Sequence, residues 1–159
     1  MAISVNDIRK LELAMQSGDP RQLCPQRYQS GASYAGVYRI LELWPDRLKE
    51  VETTDGEWRE NAVTYLEADP CYFRSGYDKA QLLRRLKRAD LSAKHKQRLV
   101  VVLMDVVGRP SGVEFRQYCQ LAPRLASKEL TSALTKLVKS ADDDVRRRAS
   151  WMLEHVEAA

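Results

Sequence analysis

The stretch Asp142-Asp143-Asp144-Val145-Arg146-Arg147-Arg148-Ala149-Ser150-Trp151-Met152-Leu153-Glu154 aligns without a gap on Asp55-Gly56-Glu57-Trp58-Arg59-Glu60-Asn61-Ala62-Val63-Thr64-Tyr65-Leu66-Glu67. The shared pattern is Asp-x-acid-apolar-Arg-x-x-Ala-x-x-apolar-Leu-Glu, and each position has a physical reason. The acids fall at the positive end of a helix dipole. The first apolar residue, the Ala, the second apolar residue and the Leu lie at i, i+4, i+7 and i+8, which is one stripe of a helix. The small Ala admits close approach of another helix, and the Arg in the first turn can reach a neighbouring carboxylate.

Outward from these two copies the punctuation is helical throughout. Asn6 can cap a helix carrying Ile8, Leu11 and Met15 and ending at Gly18. Residues 20–30 read as irregular or as a short helix. Residues 34–44 read as a helix with Val37, Ile40, Leu41 and Trp44 on one side, ended by Pro45, and 46–52 as another; a hairpin over the same region stays open. Asp78 to Ala89 places Leu82, Leu83 and Leu86 on one face. Ser92 can cap a helix to Val107, stopped by Gly108 and Pro110. Ser111-Gly112-Val113-Glu114 reads as a capping box before Phe115, Tyr118, Cys119 and Ala122. Ser127 caps a helix with Leu130, Leu134, Leu137 and Val138, and Asp142 opens the last, with Val145, Ala149, Met152, Leu153 and Val156 inward. No Gly- or Ser-rich linker divides the chain. The expectation is one all-α domain over 1–159 with about 9–10 short helices, whose repeats are clearest over 55–159.

Asp142 to Ala149 resembles the HEAT-like repeats, in particular the short type whose helix begins D-x-x-V-R-x-x-A. Asp55 to Ala62 is similar, with Trp in place of Val. The resemblance implies a right-handed α-α superhelix of short antiparallel helix pairs. Most proteins of this kind are binding scaffolds; a few bind DNA, and some of those are base-excision enzymes. The copies lie 87 residues apart, about two periods of 43. Ser30-Gly31, Ser75-Gly76 and Ser111-Gly112 each precede a helical stretch, which fits either segmentation or plain capping chemistry. Five helix steps separate the two copies where two helical pairs need four.

Composition bounds the rest. The 159 residues are 44% hydrophobic and 30% charged, enough for a buried core. The longest apolar run, Leu99 to Met104, is six residues, too short to span a membrane. Residues 1–20 lack a basic start followed by an apolar block, so no secretory signal is expected. Cys24, Cys71 and Cys119 are odd in number and lack a CxxC pair, and there are two histidines, His95 and His155. Neither a zinc site nor a disulfide scaffold fits, and a reducing, cytoplasmic location follows. No metal, no cofactor and no catalytic residue is expected: there is no Ser-His-Asp setting, HExxH, phosphate loop or dinucleotide fingerprint. Cys119 reads as a buried small hydrophobe and His95 as part of a solvated face.

Two places are candidate contacts. The net charge of +4 hides a local surplus, because residues 74–98 hold nine basic residues (Arg74, Lys79, Arg84, Arg85, Lys87, Arg88, Lys94, Lys96, Arg98) against two acids. That block sums to +7 and the remainder to −3. Arg84, Arg85, Lys87 and Arg88 fall opposite Leu82, Leu83 and Leu86. This is a basic ridge suited to an acidic protein or to nucleic acid, or else a solvated face with its charges paired. The second is the stripe Arg148, Trp151 and His155, either an end cap with Arg148 stacked on the indole or a partner or dimer contact. Asp105 interrupts the run 99–107, so a sandwiched helix with Asp105 paired to Arg109 or Arg59 is expected; a shielded catalytic acid is the enzymatic alternative. The reading is a non-catalytic protein-binding scaffold, with nucleic-acid binding on the same ridge as the alternative and a base-excision enzyme behind both.

Overall fold

Where the sequence places cooperating caps and apolar stripes, helices form. The computed structural model describes residues 3–17, 57–72, 75–110 and 112–158. The helix-or-hairpin region 33–54, Cys24 and Arg74 lie outside the described residues. Among the described residues all regular secondary structure is helical. The helices are α1 (Val5–Ser17), α2 (Glu57–Ala68), α3 (Ser75–Leu86), α4 (Ala93–Val107), α5 (Phe115–Leu121), α6 (Lys128–Leu137) and α7 (Asp143–Glu157), with a 3-10 turn at Ala122–Leu125. Packing divides the chain into two units, 1–75 with 88–90, and 76–87 with 91–159.

In the first unit α1 packs on α2. Ile8, Leu11 and Met15 are buried, as their spacing requires. The cap of α1 is Ser4 rather than Asn6. Ser4 N–H and Oγ donate to Asp7 Oδ2 at 2.9 and 2.7 Å, and Asp7 N–H donates back to Ser4 Oγ at 3.3 Å. This reciprocal box satisfies two orphan donors at once, which Asn6 alone cannot do. The bonds from Ser4 hold the Asp7 carboxyl below its ordinary range. One turn apart on α1, Glu12 accepts from Cys71 N–H and Gln16 donates to Cys71 O, both at 2.7 Å. The two side chains thereby clamp both backbone polar groups of one residue in the segment that leaves α2.

Helix α2 is buried nearly all round, polar residues included. Asn61 Oδ1 accepts from Ile3 N–H at 2.8 Å, and the hydroxyls of Tyr65 and Tyr72 are hydrogen-bonded. Arg59, 2% exposed, donates to the carbonyl of Asp90. These bonds offset the cost of removing polar groups from water. The helix stops at Asp69, in the left-handed region at φ 44°, ahead of Pro70.

In the second unit α7 packs on α4, α5, the 3-10 turn and α6, and α4 packs on the turn and α6. Leu99, Leu103, Val107, Cys119, Leu121, Leu130, Leu134, Ala149 and Met152 form its apolar interior. Three caps follow the sequence. Ser92 Oγ accepts from His95 N–H at 3.2 Å, Ser127 Oγ from Leu130 N–H at 3.1 Å, and Asp142 Oδ1 from Asp144 and Val145 N–H at 2.9 and 3.1 Å. Pro123, which has no N–H to give, turns the end of α5 into the 3-10 segment.

Ser111, the first residue of the box read at 111–114, lies outside the described residues. Glu114 itself precedes α5 and makes no cap bond to it. Its Oε1 accepts from Gly112 N–H at 3.1 Å, and its Oε2 lies over Gly76, where an added Cβ would be 2.6 Å away. Gly76 and Gly112 thus leave room for one buried carboxylate at the positive end of α3. The other end of α3 is closed by Arg124, which donates to the carbonyls of Leu86 (3.3 Å) and Lys87.

The aligned copies keep the inward stripe but not the arginine. Ala62 and Ala149, and Tyr65 and Met152, are fully buried pairs, while Leu66 is buried and Leu153 half-buried. Arg59 is interior. Arg146 is exposed, donating to Ser140 O at 2.8 Å and to Asp143. Val145 and Val156, expected inward, are half-buried. From α2 to α7 the chain makes five helix steps.

Candidate partner-binding surface

The basic block divides by its angle around α3. Lys79 stands three, four and seven residues before Leu82, Leu83 and Leu86, so it shares their stripe and is 5% exposed. Lys79, counted with the basic block as a partner-binding residue, is for that reason not on an exposed ridge. Arg84 projects opposite the stripe and is exposed, while Arg85 and Lys87 sit on its shoulders and are half-buried; Arg88, past the end of α3, is exposed. Lys87 Nζ donates to Gln120 Oε1 at 2.5 Å. Arg88 belongs to the first unit, Arg84 and Lys87 to the second.

On α4, Lys94 and Lys96 are exposed and Arg98 is half-buried. His95, expected on a solvated face, is 8% exposed instead. At 100° per residue it falls in the arc of Leu99, Val102 and Val106, so the two flanking lysines do not carry it into water. Of the block, the side chains of Arg84, Lys94 and Lys96 are exposed and make no hydrogen bond or ion pair among the described residues. Among the described residues of the block, those three are the cations left available.

The sandwiched α4 is also corrected. Its interior arc holds Leu99, Val100, Val102, Leu103, Val106 and Val107, but the opposite arc is open. Val101 is 49% exposed and Asp105 is exposed. Asp105 needs no buried partner, and it does not offer the shielded carboxylate that the enzymatic alternative requires. Arg59 is committed to Asp90.

The second candidate stripe is partly structural. Arg148 does not sit on the indole; its Nε donates to Val107 O at 2.9 Å, closing the C-terminal end of α4. The Trp151 ring lies 5.8 Å from Phe115 at 52° and 6.3 Å from His155 at 59°, so it covers Phe115 while staying 43% exposed. His155 Nδ1 lies 2.9 Å from Trp151 O.

No protein-family model matches this chain, and no curated protein or solved structure matches it either. Among the described residues, no group of three His, Cys, Asp or Glu side chains is placed to hold a metal ion. No helix among them is long and apolar enough to cross a membrane. Cys71 and Cys119 are both free thiols. Burial pushes the Cys119 thiol up to about 12, so it stays protonated and inert.

Sequence reasoning missed the Glu114 nexus, the interior Arg59 and the Arg124 cap. The paired Ser-Gly dipeptides were the signal for the first. For the other two no local signal exists, because an arginine's partner here is a carbonyl more than thirty residues away.

Proposed function

We propose that this chain is a non-catalytic protein-binding scaffold of HEAT-like helical-repeat type, which engages an acidic partner through Arg84, Lys94 and Lys96. The observation that carries this reading is that these three cations are exposed and unengaged, while the other described cations of residues 74–98 are buried or engaged within the fold. A desolvated carboxylate gains most from a cation that breaks no internal bond to reach it. The common inward stripe of α2 and α7 supports the repeat reading. We take α5 and its 3-10 turn as the inserted element that makes the number of helix steps odd; α5 is the shortest α-helix described. Trp151 supplies a secondary, apolar contact on α7. A reducing compartment such as the cytoplasm suits the exposed free thiol of Cys71.

The test is capture from lysate at low and high salt, with and without nuclease. The bait is the wild-type chain or a triple variant, Arg84→Glu, Lys94→Glu and Lys96→Glu, checked for unchanged helicity. The expected result is an acidic protein that resists nuclease and is lost both at high salt and in the triple variant. Retention that disappears with nuclease transfers the ridge to nucleic acid. Equal capture by the triple variant removes the ridge from the account.

A further inference from the structure

We draw no further inference here: the strongest candidate, the aromatic surface patch where the part-exposed Trp151 ring of α7 lies over Phe115 of α5, carries nothing more, because nothing in the structure shows what covers it.

Discussion

Gly76→Ala should destabilise this protein, although Ala is the better helix former. An added Cβ at Gly76 stands 2.6 Å from Glu114 Oε2, and one at Gly112 stands 3.1 Å from the same oxygen. Glu114 is buried and tied to Gly112 N–H, so it cannot swing aside without giving up that bond. Losing a charge-assisted bond to a backbone N–H costs about 1.5–3 kcal/mol. Moving the carboxylate off the α3 terminus adds roughly 0.3–1 kcal/mol. Against this, Ala in place of Gly near a helix start gains about 0.5 kcal/mol. The net expectation is a loss of about 1–3.5 kcal/mol. The decisive control is the same substitution in a Glu114→Ala background. There the obstructing carboxylate is gone, and Gly76→Ala should turn neutral or stabilising by about 0.5 kcal/mol. Urea unfolding followed by helicity gives both values from the shift of the midpoint at constant slope. If Gly76→Ala costs the same in both backgrounds, Glu114 does not occupy the space over Gly76 and the explanation of the two glycines is wrong.

Ser4→Ala should cost about 1 kcal/mol in the stability of α1, read as faster amide exchange over 7–12. The Asp7 carboxyl is held below its unfolded value, so its contribution is complete above about pH 4 and disappears as pH falls through the depressed value; Asp7→Asn should flatten that acid limb. Cys71, exposed, should react with a thiol reagent in the native state, while Cys119, with its thiol pushed up to about 12, should react only on unfolding. Simultaneous labelling of both would mean that α5 opens in the native protein. Arg124→Ala should cost about 1 kcal/mol by exposing the last carbonyls of α3, read as a lowered urea midpoint.

How far the sequence carried is clearest at the helix starts. Ser92, Ser127 and Asp142 cap the helices their positions announce, because a cap is a contact among residues three apart and needs no knowledge of the fold. The inward stripes of α1, α2 and α3 were legible for the same reason, from period alone. Misreadings came from weighing residue type above angle. His95, between two lysines, reads as solvated yet stands on an apolar arc, and Lys79, counted with the basic block, stands on the arc of Leu82, Leu83 and Leu86; Asp105, among hydrophobic neighbours, reads as interior yet stands on the open arc. The engagement of Lys87 with Gln120 and of Arg148 with Val107 lay beyond any local pattern, since each depends on tertiary placement.

The most direct measurement is zero-length cross-linking of lysine amines to carboxylates in complexes captured on the wild-type chain, followed by peptide mass mapping. The account predicts cross-links from Lys94 and Lys96 to Asp or Glu of one partner protein, suppressed by salt and absent after Lys94→Arg and Lys96→Arg, which keep the charge and remove the reactive amine. Cross-links confined to other lysines, such as Lys128, Lys136 or Lys139 on and after α6, would contradict it.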